Sequence, residues 1–575
     1  MPTTENSAAR PDADWWRSAV VYQIYPRSFA DANGDGTGDV AGIIDRLPHL
    51  VDLGVDALWI SPWYPSPLAD GGYDVADYTD IHPDFGTLAE ADTLIGRAHD
   101  AGLRVLIDLV PNHCSDEHPL FRAAVEAGPG SPEREKFIFR DGRGEHGELP
   151  PNNWQAMFGG SAWERLTDAA GNGEQWYLHL FDIKQPDWNW DNPAVPDLFD
   201  EVLRFWFDRG IDGFRIDVAD SMAKDPELPD LPLDADGKPT REKYVGAPMW
   251  DVPSLEGIHR RWRAVADEYA DSAQGPRVFV SEAYLTPAER LVRYVEEGRL
   301  HTTFNFDALL SEWSAESQRN VIAISTAAHQ AVGAPCTWVL SNHDTPRVAS
   351  RYGKPESGSR FTTEGLDPEH IARDWHHYTR YSTDLELGRR RARAAALLEF
   401  ALPGGAYVYQ GDELGLDEVE DLPAEALQDP TWERSGHTVK GRDGCRVPIP
   451  WSGSEPPYGF GPAEPGTQPW LPQPGSWADV SVAAQNDDPD SHLALYRKAL
   501  RLRHEHPAFG DGTFAWDECN VGQVLSFTRD PGLRCMVNFG AEPVDLPAGE
   551  QVLLASGELT DGRLGSDQAV WLQRN

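Results

Sequence analysis

The sequence Gly213-Phe214-Arg215-Ile216-Asp217-Val218-Ala219 runs from an apolar segment into an arginine and an aspartate two positions apart. Residues 211–218 read as a short strand. Alternation along a strand turns Arg215 and Asp217 to the same side. A carboxylate beside a guanidinium stays ionised at neutral pH, which suits a nucleophile. From this stretch alone, a structural ion pair at a strand end fits as well. Two other apolar runs, Val278-Phe279-Val280 and Trp338-Val339-Leu340, lead to Ser281-Glu282-Ala283 and Asn342-His343-Asp344. Three carboxylates on three strand ends point to one shared site.

Working outward, strands are expected at 20–25, 56–60, 105–110, 302–306, 336–341 and 406–410. With 211–218 and 278–280 they make eight, and helical patterns separate them, among them 40–53, 88–101, 197–209, 255–272, 385–402 and 493–506. Strand–helix alternation of this kind is the pattern of an α/β fold, a parallel (β/α)8 TIM barrel. Residues 114–184 break the alternation and are long, Gly/Pro-rich and aromatic, so they read as an inserted subdomain in the third βα loop. Residues 223–253 are a second polar, Pro-rich excursion. From 510 to 575 short alternating runs are separated by turn residues, as in a C-terminal antiparallel β-sandwich. The barrel is therefore expected over 1–113 and 185–509. Its chemistry belongs at the C-terminal ends of the strands, where His113, Arg215, Asp217, Glu282, His343 and Asp344 all fall. The basic run at 389–393 reads as a solvated helix face.

The chain has 575 residues, 25% charged and 40% hydrophobic, and a formal net charge of -43. Such an excess of acid disfavours nucleic acid and anionic membrane as partners. It suits a small neutral substrate, although a general bias toward acidic surfaces produces the same charge. The five cysteines include no Cys-x-x-Cys pair, which argues against a disulfide framework or zinc ribbon. Reduced thiols, a polar N-terminal segment and no apolar run of membrane length lead to an expected cytoplasmic protein, a monomer or small homo-oligomer.

Two loops carry further chemistry. Asp31, Asn33, Asp35, Thr37 (through its carbonyl) and Asp39 alternate with glycines, and oxygen donors so spaced can wrap one calcium or magnesium ion. Position twelve of that loop is Gly42 rather than a bidentate Glu, so it is no EF-hand. A Gly/Asx turn closed by its own backbone bonds accounts for the same residues. Asp70-Gly71-Gly72-Tyr73-Asp74 mixes carboxylates with an aromatic ring, which suits sugar hydroxyls and C–H faces.

Asp108-Leu109-Val110-Pro111-Asn112-His113, Gly213-Phe214-Arg215-Ile216-Asp217, Ser281-Glu282-Ala283 and Asn342-His343-Asp344, in this order, resemble the four blocks of the alpha-amylase family, glycoside hydrolase family 13. Gln185-Pro186-Asp187-Trp188-Asn189-Trp190, Gln410-Gly411-Asp412-Glu413 and Gly441-Arg442-Asp443-Gly444 look like its alpha-glucosidase and oligo-1,6-glucosidase branch. Residues 219–226 resemble actinobacterial members of maltose type.

The resemblance implies a retaining, exo-acting alpha-glucosidase that releases alpha-glucose from short alpha-glucosides, alpha-1,4 with some alpha-1,6, and with some transglucosylation. Asp217 would be the nucleophile, Glu282 the acid/base and Asp344 the group that stabilises the transition state. Retention calls for nucleophile and acid about 5–5.5 Å apart. Asp70, Tyr73, His113, Phe158, Gln175, Arg215, His343 and Arg442 would hold the glucose. The 31–39 loop would hold structural calcium. A transglucosylase, trehalose synthase or sucrose isomerase on the same scaffold is the alternative. A non-catalytic carbohydrate-binding or transporter-ancillary barrel is a more distant one.

Overall fold

A computed structural model describes residues 13–167, 173–240, 246–371, 381–462, 468–517 and 522–574. Its centre is eight strands: β1 (Val20–Ile24), β2 (Ala57–Ile60), β3 (Arg104–Leu109), β4 (Gly213–Ile216), β5 (Val278–Ser281), β6 (Thr302–Thr303), β7 (Thr337–Val339) and β8 (Gly405–Tyr409). All pairings among them are parallel, in the order β7-β8-β1-β2-β3-β4-β5-β6. The outer strands meet where Asn305 N donates to Thr337 O at 3.2 Å, so the sheet closes as the expected barrel. The strands are buried on both faces, which is why they read as unbroken apolar runs rather than alternating ones.

Helices follow the pattern of alternation. Val40–Leu53 starts where the Asp39 side chain accepts from Gly42 N at 2.6 Å. Leu88–Asp100 begins at a reciprocal Thr87–Glu90 capping box. The later long helices lie at Ala194–Asp208, Leu255–Asp267, Ala315–Val332, Leu385–Ala401 and His492–Glu505. The sixth strand is shorter than expected. The Asn305 side chain accepts from Ala308 N at 3.1 Å and so caps a helix at Phe306–Leu310, and local capping ends the strand.

The insertion forms a three-stranded antiparallel sheet from Phe139–Arg140, Trp163–Thr167 and Gly173–Leu178. It does not close its core alone. Leu231, Ala247, Met249 and Trp250, from the excursion after β4, pack with its Trp154, Trp163 and Leu178. The Trp154 indole donates to Pro229 O at 2.8 Å. The roof over the site is therefore built from two separate segments of chain.

The C-terminal region is a five-stranded antiparallel sheet with a separate two-stranded ribbon, Val544–Asp545 with Arg563–Leu564. Cys535 and Val537 join the barrel's core, while Met536 between them faces Leu564 of the ribbon, as strand alternation requires. Here the basic run departs from the expected solvated face. Arg391 donates to Asp567 at 2.9 Å and Arg393 to Ser556 O at 2.7 Å, so the run fastens the sheet to the barrel. Among the described residues no helix is long and apolar enough to cross a membrane. Cys114, Cys336, Cys445 and Cys535 are buried and unpaired, and Cys519 lies outside the described residues.

Candidate active site

The ends of β3, β4 and β5 lie side by side, because the barrel's hydrogen bonding continues past them. Asp217 N donates to Leu109 O at 2.8 Å and Glu282 N to Ile216 O at 2.9 Å. Arg215, 1% exposed, fills the space beneath. Its Nη1 donates to Asp108 at 2.6 Å and to Asp217 at 2.8 Å, and its Nη2 lies 2.8 Å from Glu282 Oε2. The guanidinium sits over the Trp59 ring, whose indole donates to the other oxygen of Asp108 at 2.9 Å.

Three carboxyl groups thus share one guanidinium. Burial pushes Asp108 up to about 6, against the pull of Arg215. Burial also pushes Asp217 well above the usual carboxylate range; Arg215 opposes this, and the neighbouring Glu282 adds to it. A buried cluster with more carboxyls than cations retains protons near neutrality, which is the condition for acid catalysis beside an anion.

Val218 follows the nucleophile candidate with φ of 38°. A β-branched residue in the left-handed region is strained. The conformation aims Val218 N at Glu282 Oε2, 3.0 Å away, and Ala219 N donates to Glu282 O at 2.8 Å. The backbone after β4 therefore grips the glutamate directly.

Asp344 faces this group from the end of β7. Arg442 Nη1 and Arg446 Nη2 each donate to its Oδ1 at 3.0 Å. His343 Nε2 lies 3.3 Å from its Oδ2. Burial alone would raise the Asp344 carboxyl, but His343, Arg442 and Arg446 outweigh it and hold it well below the usual range. Burial also lowers His343 itself, against the pull of Asp344. The ring stacks parallel on Tyr73 with centroids 5.1 Å apart.

Arg442 closes the far end. Its Nη2 donates to Asp70 at 2.6 Å, its Nε to Asp429, and its guanidinium lies 5.1 Å from the Phe158 ring centroid. Gln185 Nε2 donates to Asp70 at 3.1 Å and lies 3.2 Å from His113 Nε2. Tyr73 donates through its hydroxyl to Asp108 at 3.2 Å. A cleft of about 590 Å³, open solvent included, is lined by Glu282 and Asp344 together with Val218, Tyr284, Phe306, Leu310 and Asn342.

Ten of the eleven proposed catalytic and sugar-binding residues thus stand in one connected network. The exception is Gln175. It lies on the insertion strand Gly173–Leu178, donates to Asp141 at 2.9 Å and accepts from Arg134 at 3.3 Å. It is joined to none of the site residues, and Gln185 occupies the place beside Asp70 and His113.

In the 31–39 loop the side chains of Asp31, Asn33, Asp35 and Asp39 each accept from backbone N–H groups. Asp31 accepts from Gly34 and Gly36 (2.6 and 2.9 Å), Asn33 from Asp35 (2.9 Å), Asp35 from Thr37 (2.8 Å) and Asp39 from Ala32 and Gly42 (3.0 and 2.6 Å). Carboxylate oxygens have lone pairs beyond these bonds, so an all-oxygen set that suits a hard cation remains. Among the described residues no three His, Cys, Asp or Glu side chains converge on a metal position. An ion here would also depend on Asn33 and the Thr37 carbonyl.

The family profile described as the alpha-amylase catalytic domain matches residues 23–364 and 374–512. The chain belongs to the alpha-amylase family. A domain of unknown function, DUF3459, matches residues 507–571. The chain is 38% identical over 564 residues to a probable alpha-glucosidase of Rhizobium meliloti, covering 94% of this chain and 92% of that protein. It is 33% identical to an oligo-1,6-glucosidase of Parageobacillus thermoglucosidasius over 97% and 96% of the two chains. The alpha-glucosyl transfer enzyme XgtA superposes with a TM-score of 0.81 at 35% identity, covering 98% of this chain and 99% of that one.

Within this alpha-amylase-family site, four residues had not been assigned a role from sequence. Asp108, Gln185 and Arg446 sit inside or beside blocks that are legible in the sequence. Asp429 stands alone in a long loop, and only the fold brings it to Arg442.

Proposed function

We propose that the chain is a retaining, exo-acting alpha-glucosidase acting on short alpha-glucosides, alpha-1,4 with some alpha-1,6. The observation that carries this is the bridging of Asp217 and Glu282 by the single guanidinium of Arg215 at 2.8 Å each. That bridge favours a close pair, as double displacement requires. In the form in which the cluster's proton sits on Glu282 and Arg215 holds Asp217 as carboxylate, Asp217 attacks the anomeric carbon. The bond from that carbon to the aglycone oxygen breaks, and the oxygen takes the proton of Glu282. Both donors to Glu282, Arg215 Nη2 and Val218 N, converge on Oε2, which leaves Oε1 to carry the proton. Water then bonds to the anomeric carbon, gives a proton back to Glu282 and displaces Asp217. Asp344, held anionic by two arginines, accepts from sugar hydroxyls and stabilises the positive charge that develops on the ring.

Asp70, Arg442 and Phe158 close the pocket beyond the first glucose, which supports release of single units. Calcium in the 31–39 loop belongs to the same proposal, as a brace for the segment between β1 and its helix.

The likeness to XgtA and the open cleft at Glu282 and Asp344 support a second reading, in which a sugar acceptor competes with water for the covalent intermediate. Product analysis with maltose, isomaltose and sucrose tests both. Glucose as the main product supports hydrolysis, and the faster sugar fixes the linkage. New di- or trisaccharides at modest substrate concentration support transfer. No turnover of any of the three overturns the assignment.

A further inference from the structure

Lys224 lies in the loop after β4, seven residues beyond the nucleophile candidate, and is 6% exposed. Its Nζ donates to Asn112 Oδ1 at 2.6 Å and to Met222 O at 3.3 Å, also bonds Ser221 O, and pairs with Asp187 Oδ2 at 2.8 Å. An ammonium has three donors and no acceptor. The Asn112 atom facing it must therefore be the carboxamide oxygen. The Asn112 nitrogen then faces His113 Nδ1 at 2.9 Å, and an amide nitrogen only donates. Nδ1 must accept, so the single proton of the neutral ring resides on Nε2.

The other side of the ring agrees independently. His113 Nε2 lies 3.2 Å from Tyr73 O, a group that only accepts. Gln185 Nε2 has other acceptors, Asp70 at 3.1 Å and the same Tyr73 carbonyl at 3.3 Å, and does not need the ring. Phe181 packs against the ring at 4.9 Å between centroids. Burial and then Lys224 lower His113 to about 3, so the ring does not take a second proton at neutral pH.

We propose that Lys224, acting through Asn112, is a positioning residue that fixes His113 as the Nε2–H tautomer. The sugar pocket then meets a neutral N–H that a sugar hydroxyl must share with Tyr73 O, 3.2 Å away. The only cation bonded to Asp70 remains Arg442, among the described residues. The tautomer stands whatever the reaction; only the consequence for sugar binding rests on the glucosidase reading.

The test is carbon and nitrogen NMR of the full-length protein labelled at histidine, with His113 assigned through His113→Gln. The expected result is an Nε2–H signature for His113 from pH 5 to 9. Lys224→Met removes the cation that holds the Asn112 oxygen, but Asp187 also bonds the Asn112 side chain, so mixed tautomers are expected in full only when Asp187→Asn is added. The double variant also removes both charges, should the unpaired Asp187 prevent the single one from folding. Asn112→Asp puts acceptors on both sides of the side chain and is expected to move the proton to Nδ1. KM for maltose should rise about tenfold in each variant whose tautomer shifts, the cost of one hydrogen bond, with a smaller change in kcat. An Nδ1–H signature in the unmodified protein overturns the proposal. So does an Nε2–H signature that persists in the folded Lys224→Met, Asp187→Asn double variant and in Asn112→Asp. A shifted tautomer with unchanged KM leaves the positioning role standing and counts against the sugar contact alone.

Discussion

Val218 donates its main-chain N–H to Glu282 Oε2 at 3.0 Å, and it does so from a left-handed backbone with φ of 38°. Strain of this kind costs about 1–2 kcal/mol for a β-branched residue. Glycine adopts the same conformation freely and keeps the N–H. Val218→Gly is therefore expected to hold or raise the melting temperature, where a valine-to-glycine change in an ordinary strand lowers it. Calorimetry decides this, and a fall of several degrees contradicts the strain.

Asp217 and Glu282 have separable roles. Asp217→Asn removes the nucleophile and should lower kcat by about 10⁴-fold or more, with maltose still bound by isothermal titration. Glu282→Gln should hydrolyse maltose poorly but retain much more activity on an aryl glucoside, whose leaving group needs no proton. Equal losses on both substrates would remove Glu282 from the acid role.

Arg442 bonds three acids: Asp70 at 2.6 Å, Asp344 at 3.0 Å and Asp429. Arg442→Met leaves them facing one another with Arg446 alone beside Asp344 and Asp429. Loss of one partner from a buried ion pair costs roughly 3–5 kcal/mol. Urea unfolding should show destabilisation of that order, and kcat/KM should fall at least a hundredfold. Arg442→Lys keeps the charge but not the fork and should recover stability better than activity.

His113 contributes to acid sensitivity. Its folded value of about 3 lies below an unfolded value near 6.5. Between these pH values the unfolded chain binds a proton that the folded one does not, so stability falls as pH drops from 6.5 toward 3. The slope from this group is about 1.4 kcal/mol per pH unit. Asp108, raised to about 6, acts the other way between pH 4 and 6. His113→Gln should flatten the acid-side loss, and unchanged pH dependence of urea unfolding contradicts the buried neutral ring.

Sequence carried the barrel because each strand is an apolar run bounded by polar or turn residues, and three of those runs lead to a carboxylate. Asp217, Glu282 and Asp344 stand at those three ends, and their residue types are tied to positions that local pattern reveals. Gln175 and Gln185 show where this stops. Both lie near the boundary of the insertion, and which one reaches Asp70 depends on how the insertion folds back, through strand pairings such as Phe139 with Tyr177. The run containing Arg391 and Arg393 reads as solvated until Asp567 and Ser556, more than 160 residues later, are placed against it. Asp429 carries no local signal, because its meaning comes only from Arg442.

Calcium bound at Asp31, Asn33, Asp35, Thr37 and Asp39 would stabilise the folded chain by mass action. Chelation with EDTA is expected to lower the melting temperature, with recovery on adding calcium and less on adding magnesium. An unchanged melting temperature, with no calcium found by elemental analysis of the purified protein, removes the ion from the account.

The central claim is double displacement at Asp217 with Glu282 as acid and base. Proton NMR of maltose hydrolysis, recorded from the first seconds, tests it most directly. The reducing unit of maltose leaves as the alpha/beta mixture it already was, so the account predicts an initial excess of alpha-glucose over that mixture, from the non-reducing unit, which relaxes only at the rate of mutarotation. Initial formation of beta-glucose from that unit would mean a single displacement by water and would contradict it.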